Sequence, residues 1–287
     1  MQTGQDEGMT APTAPTVTLL HGAAMPRLGL GTWPMNDRQV EQAVVTAVEA
    51  GYRLFDTAEN YGNERGVGRG LRRSGVPRDE LFVTTKFNKG WHGVQLVGQV
   101  FEQSAERLGV DYIDLLLIHW PNPRQKRYVQ AWQGLIGLLE TGSVRAIGTS
   151  NFKVAHLERL IAETGVVPDV NQIELSPALT RDGVRQFHAD HGIVTESWGP
   201  MGGQGAAILS QPVVVDLAER YGRTPAQIVL RWHIDLGLVT VPKSTDPKRM
   251  AQNIAIFDFA LSPDDIAALS ALDRGEATAT DSDTFGH

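Results

Sequence analysis

Short apolar runs recur along the chain, at Leu28–Gly31, Tyr52–Phe55, Leu81–Thr85, Tyr112–Ile118, Val144–Gly148, Asp169–Ile173, Ile193–Glu196 and Leu238–Val241. Their length and their polar stops predict strands. Between them apolar residues take helical spacing. Val40, Val44 and Val48 repeat every fourth position, and Val94, Val97, Phe101, Ala105 and Leu108 trace one face. Helix starts are marked by Thr224-Pro225-Ala226-Gln227, a capping box with proline at the first helical position, by Ser262-Pro263-Asp264-Asp265 and by Asp246-Pro247. Most runs begin about 30 residues apart, which is what a strand, a turn, a helix and a second turn consume. Eight strands alternating with helices fit a βα barrel or an open doubly wound sheet. The count of eight, with no sign of a second domain, favours a (β/α)8 TIM barrel.

Composition trims this picture at its edges. With 41% hydrophobic residues and no heptad or triplet repeat, disorder, collagen and coiled coil are excluded. No apolar stretch approaches the roughly 20 residues that cross a bilayer. The count of Cys is 0, which removes disulfides, iron–sulfur ligation and a thiol nucleophile and fits a reducing cytoplasm. A net charge of −7 argues against nucleic acid or an anionic membrane as the main partner, while leaving room for a local basic pocket. Residues 1–15 are polar, rich in Gly, Thr and Pro, and lack the features of a signal peptide, so they are expected to form a disordered leader. Residues 16–275 then make one barrel domain, and 276–287 a loose C-terminal tail. The absence of a long exposed apolar stripe leans towards a monomer.

In a βα barrel the chemistry gathers where strands end. The residues closing the eight runs are Thr32, Asp56, Lys86, His119, Ser150 with Asn151, Gln172, Trp198, and Lys243 with Ser244. Loops are polar in any case, which accounts for part of this set but poorly for Asp56, Lys86 and His119, each abutting buried sequence. Alone, His119 reads as a satisfied core histidine. Beside Lys86 and Asp56 on neighbouring strands it reads as chemistry. Asp56 and Lys86 can pair, keeping a partly buried ammonium charged. Tyr61, five residues past Asp56, can reach back over the same mouth; taken alone it would be a rim aromatic. A lysine ammonium beside it is expected to lower the pKa of its phenol and make it a usable proton donor.

A second stretch, Val241-Pro242-Lys243-Ser244-Thr245-Asp246-Pro247-Lys248-Arg249, places cations and hydroxyls at the last strand end and directly before a helix start. A helix N-terminus offers free N–H groups and positive dipole to phosphate, and barrels often bind phosphate here. Arg249 adds a planar fork or a stacking face for adenine, whereas Lys248 reads as a solvated surface cation. Other motifs are weaker. His188 and His191 read as a surface pair rather than metal ligands. Gly66-Val67-Gly68-Arg69-Gly70 and Gly199-Pro200-Met201-Gly202-Gly203 resemble glycine-rich phosphate loops only loosely, and no Rossmann, Walker or nucleophile-elbow sequence is present.

Taken together, Gly51-Tyr52-Arg53-Leu54-Phe55-Asp56-Thr57-Ala58 with Tyr61-Gly62-Asn63-Glu64, Thr84-Thr85-Lys86, Ile118-His119-Trp120-Pro121, Gly148-Thr149-Ser150-Asn151 and Val241-Pro242-Lys243-Ser244 resemble the aldo-keto reductase family over about residues 17 to 275. Ser197-Trp198-Gly199-Pro200 is similar to the bacterial 2,5-diketo-D-gluconic acid reductase branch. The resemblance implies an N-terminal hairpin near Val17–Leu20 and Ala23–Pro26 closing the barrel bottom. It implies NADPH (NADP+ after turnover) across the mouth, with Gly31 and Thr32 among its contacts, a small-molecule carbonyl substrate and no metal. Tyr61 would be the proton donor, Lys86 and Asp56 its tuning pair, and His119 the residue that orients the carbonyl. Ser150, Asn151 and Gln172 would hold the carboxamide. Trp198 would stack on the nicotinamide beside Gly199, Pro200 and Met201, the last standing where Leu is common. Lys243, Ser244, Thr245 and Arg249 would grip the 2′-phosphate. Asn253 would meet the adenine, as would Gln252, which stands where Glu is frequent.

Two rivals share these residues. A barrel with a lysine at a strand end is also how Schiff-base lyases are built, with Lys86 as nucleophile. A slow-turnover, cofactor-binding regulatory subunit is the other; the intact set of Asp56, Tyr61, Lys86 and His119 speaks against it. Trp33, Trp91 and Trp120 are expected to wall the substrate pocket, suiting keto-acids, keto-sugars or methylglyoxal-like dicarbonyls. The short tail predicts an open pocket of broad specificity.

Overall fold

The computed structural model describes residues 13–203 and 206–287, and among these residues ten strands and ten α-helices build the fold. Of the expected leader at 1–15, residues 1–12 lie outside the described residues, and Pro15 O accepts from the Arg27 N–H at 2.8 Å. The chain opens with the antiparallel hairpin β1 (Thr16–Thr18) and β2 (Ala24–Pro26), paired through Val17 and Met25. Then follow β3 (Gly29–Gly31), α1 (Asp37–Glu49), β4 (Leu54–Asp56), α2 (Glu64–Ser74), β5 (Phe82–Phe87), α3 (Val94–Leu108), β6 (Ile113–Ile118) and α4 (Tyr128–Glu140). The second half runs β7 (Val144–Ser150), α5 (Val154–Thr164), β8 (Val170–Glu174), α6 (Asp182–His191), β9 (Val194–Trp198), α7 (Pro212–Tyr221), α8 (Pro225–Asp235), β10 (Val239–Thr240), α9 (Pro247–Ile254) and α10 (Pro263–Ser270).

Strands β3 to β10 pair in chain order, all in parallel. The first and last are joined by a parallel bridge between Leu28 and Thr240 and by the Gly31 N–H donating to Pro242 O at 3.2 Å. The sheet therefore closes as the barrel that the eight runs predict. Alternation along each strand divides the core in two. Leu54, Phe82, Leu115, Leu117, Ala146, Val170, Val239 and Val241 point into the lumen, sealed below by Leu19 and Met25 of the hairpin. Their neighbours Phe55, Val83, Leu116 and Ile147 point outwards and pack with Val44, Val97, Trp132 and Leu160 of the helices. Each buried aliphatic or aromatic side chain contributes about 1.5–3 kcal/mol relative to exposure. The same parity that sends Leu54 inwards sends Asp56 inwards two residues later, and Phe82 is followed inwards by Thr84 and Lys86.

The marked helix starts form as expected. Thr224 and Gln227 exchange reciprocal capping bonds, and Ser262 accepts from the Asp265 N–H. Asp246 also caps its helix, accepting from the Arg249 N–H at 2.9 Å. The glycines of 66–70 prove to be packing residues and make no phosphate loop. They lie on α2, where a Cβ on Gly66 would collide with the Asp37 carbonyl of α1 and one on Gly68 with the Leu108 carbonyl of α3. His188 is buried, its Nε2 within 3.0 Å of Asn171 Nδ2 and its Nδ1 within 2.8 Å of Thr195 Oγ1, so both ring nitrogens serve the fold.

Residues 276–287 are not the loose tail that composition suggests. Thr280 N–H donates to Glu174, Lys153 Nζ bonds Asp281 at 2.6 Å and Asp283 at 2.5 Å, and His156 Nε2 lies 2.9 Å from Asp283. The Lys89 N–H donates to His287 O at 2.9 Å. The segment thus crosses the mouth of the barrel and narrows it.

Candidate active site

At the C-terminal mouth, Lys86 Nζ donates to Asp56 Oδ1 at 2.7 Å and to Thr57 O at 3.0 Å, both charges being buried. Burial alone would lower the pKa of Lys86. Burial is the largest single influence, but the Asp56 carboxylate, by charge and by hydrogen bond, acts with the other acidic groups around Lys86 to outweigh it and hold the ammonium above its ordinary value. A lysine so held is no Schiff-base nucleophile near neutral pH. The ring of Tyr61 lies over it, with its centroid 5.2 Å from Nζ. Burial raises the phenol above its usual pKa while the Lys86 charge opposes that rise, so the net shift is upward, opposite to the sequence-based expectation. The upward shift still suits an acid, since Tyr61 stays protonated until it is used.

His119 follows β6, its ring edge-on to Tyr61 with centroids 5.8 Å apart. Burial, then the charge of Lys86, lowers its pKa well below the ordinary value, leaving a neutral imidazole. A neutral ring carries one N–H with which to polarise a carbonyl.

A cavity of about 820 Å³ spans the mouth. Its walls include Asp56, Tyr61 and His119 at the centre, Ser150, Asn151, Gln172 and Trp198 beside them, and Lys243, Ser244, Thr245, Arg249 and Asn253 at one end. Gly31, Thr32, Gly199, Pro200 and Met201 also line it. Trp198 Nε1 donates to Asn151 Oδ1 at 2.9 Å, fixing the indole. Asn151 Nδ2 is spent on His119 O and Ser150 Oγ, both at 3.1 Å, and Ser150 Oγ donates to Gln172 O at 3.0 Å. Ser150 and Asn151 therefore face the cavity as acceptors, the complement of a carboxamide NH2.

The donor set at the far end fits a phosphate monoester, though not by the expected route. Asp246 already caps α9, so the phosphate reading rests on the Lys243, Ser244, Thr245 and Arg249 side chains rather than on free helix N–H groups. Gln252 does not line the cavity. Neither does Trp91, which packs partly buried against the core. Trp33, exposed at the rim, and Trp120, buried, do line it. Phe285 and His287 of the C-terminal segment join them, with Phe285 edge-on to Trp120 at 4.8 Å and the His287 ring 5.8 Å from that of His119. No periodicity marks these two residues in the sequence.

A barrel that sets a tyrosine above a buried Asp–Lys pair, next to a long cavity with cations at one end, defines a barrel oxidoreductase of carbonyl compounds. Residues 26–274 match the model of the Aldo/keto reductase family. The chain is 46% identical over 273 residues to methylglyoxal reductase DkgA of Yersinia pestis, covering 95% of this chain and 98% of that one. It is 45% identical over 272 residues to an aldo-keto reductase of Mycolicibacterium smegmatis, covering 95% and 98%. A crystal structure of a Gox0644 mutant in complex with NADPH superimposes with TM-score 0.89 at 42% identity, over 95% of this chain and 98% of that one. The chain belongs to the aldo/keto reductase family. It is an NADP(H)-dependent oxidoreductase that reduces carbonyl groups to alcohols.

Proposed function

We propose that the protein reduces small dicarbonyls of the methylglyoxal type, with keto-sugars as a second class, and that Tyr61 is the proton donor. The observation that carries this reading is Tyr61 set over the buried Asp56–Lys86 pair beside a neutral His119. NADPH, when bound, supplies the hydride to the carbonyl carbon. His119 donates its N–H to the carbonyl oxygen and orients it. Tyr61 gives its proton to that oxygen as the alkoxide develops, and the ammonium of Lys86 stabilises the phenolate left behind. Ser150, Asn151 and Gln172 hold the carboxamide, Trp198 stacks on the ring, and Lys243, Ser244, Thr245 and Arg249 take the 2′-phosphate, with Asn253 near the adenine. Trp33, Trp120, Phe285 and His287 leave room at the mouth for a short substrate, and relatives bearing the methylglyoxal reductase name favour the dicarbonyl.

The same reading takes residues 16–275 as one catalytic domain acting as a cytoplasmic monomer. Its support is that among the described residues the exposed large apolar side chains are few and scattered, and that two of them, Trp33 and Phe285, belong to the mouth. No described helix is long and apolar enough to cross a membrane. The test follows NADPH oxidation with methylglyoxal, a 2,5-diketo-sugar acid, a long-chain aldehyde and a bulky aromatic ketone. The expected order of kcat/KM places methylglyoxal or the diketo-sugar acid first; a preference for the bulky ketone would refute the small-substrate assignment.

A further inference from the structure

Glu196 lies inside the barrel, and the reaction as derived gives it no task. It sits on β9, opposite Gln172 of β8 in the sheet register, and is fully buried. The Gln172 amide nitrogen has two hydrogens. One is donated to Asp56 Oδ2 at 2.8 Å and the other to Glu196 Oε2 at 2.9 Å. A primary amide bracketed in this way has its flip decided, because the turned-over form would set Oε1 against the Asp56 carboxylate with no hydrogen between them. Gln172 lines the cavity, and among the described residues no donor bonds its Oε1. That oxygen is the amide atom left for a ligand.

We propose that Glu196 is a positioning residue for the reduction: by taking one N–H of Gln172 it locks Oε1 towards the mouth, as an acceptor for the carboxamide N–H of the nicotinamide. The inference rests on the nicotinamide lying against Ser150, Asn151 and Gln172, as proposed above. Asp56 cannot do this alone. Its Oδ1 is held by Lys86, and a single bond to Oδ2 leaves the amide free to rock about its last torsion while keeping that bond. Two acceptors on opposite sides of the nitrogen remove the freedom, which is how a supporting layer of side chains fixes a contact residue.

The charged and titratable groups that face Glu196 are Asp56, Lys86 and Tyr61. Burial first, then the Asp56 charge, pushes the Glu196 carboxyl up to about 8, so near neutral pH it is an uncharged acid. Its second oxygen, Oε1, is buried with no partner among the described residues, which a carboxylate would tolerate badly and a carboxylic acid tolerates better. The uncharged acid still accepts through Oε2. Gln172 is thus held on one side by a charge and on the other by a neutral group, without placing a second uncompensated anion in the lumen.

The test compares two ligands on three proteins. NADPH engages both ends of the cavity, whereas adenosine 2′,5′-bisphosphate carries the 2′-phosphate and no nicotinamide. Glu196→Leu should weaken NADPH by about fivefold or more while leaving adenosine 2′,5′-bisphosphate within about twofold of wild type, one hydrogen-bonded contact being at stake. Glu196→Gln, which keeps an acceptor, should restore NADPH affinity to within about twofold. Where Glu196→Leu fails to accumulate, Glu196→Met offers the same loss of acceptor in a side chain of similar length. An equal loss of both ligands would mark general disruption and overturn the proposal, as would NADPH binding that does not change. A wild-type protein that binds neither ligand would overturn the cofactor reading and this inference with it. Normal wild-type binding with an unaffected variant overturns the inference alone.

Discussion

Tyr61 is governed by two opposed influences, and only one of them is visible in a sequence. Lys86 and Asp56 stand at adjacent strand ends, so the ammonium that favours a phenolate can be read from their spacing. The depth of the phenol cannot, and burial outweighs the ammonium. Glu196 escapes notice for a related reason. It closes an apolar run two residues before Trp198, and nothing in the sequence says that Gln172 turns sideways to meet it. Phosphate recognition also belongs to single residues. Arg249 is exposed and its weak partner is Asp246, with Nε 3.9 Å from the carboxylate, so it can turn to a ligand at little cost. Removing a charged contact to phosphate costs about 1.5–3 kcal/mol, or roughly 10- to 100-fold in affinity. Arg249→Ala is therefore expected to weaken NADPH by about tenfold or more and NADH by less than about twofold, as read by quenching of tryptophan fluorescence. Equal losses for the two dinucleotides would remove the 2′-phosphate assignment.

Among the elements, helices with strong start signals were the most legible. A capping box such as Thr224 to Gln227 acts within four residues, so the sequence that writes it also satisfies it. The glycines of α2 were misleading because their purpose lies in other elements. Gly66 and Gly68 let α2 approach α1 and α3 at distances that a Cβ forbids, and the obstacles are backbone carbonyls that cannot swing aside. Gly68→Ala should for that reason destabilise the fold by more than about 1 kcal/mol, even though alanine is the better helix former by about that amount. Denaturant unfolding of the two proteins measures it; a variant as stable as wild type would contradict the packing account. The segment 276–287 was illegible because it lacks any period. Its order comes from Lys153 and His156 at the start of α5, Lys89 after β5 and Glu174 at the end of β8, which the chain supplies from three other places.

For the whole molecule, a rhythm of apolar runs and helical faces suffices to choose the barrel, since eight strands of one parity must enclose a lumen and eight strand ends must share a mouth. Placing Asp56, Lys86 and His119 there followed from topology, with no knowledge of side-chain direction. What topology leaves open is which polar groups are already spent. Asn151 is committed to Trp198, His119 O and Ser150, and Asp246 to its own helix, so two expected ligand contacts change character once the partners are known. The central claim is that this mouth reduces a carbonyl with Tyr61 as its acid. The most direct measurement is NADPH oxidation by Tyr61→Phe with methylglyoxal, made beside a fluorescence titration of the same variant with NADPH. The account predicts a fall in kcat of about 10²- to 10⁴-fold with NADPH affinity nearly unchanged; turnover at the wild-type rate would contradict it.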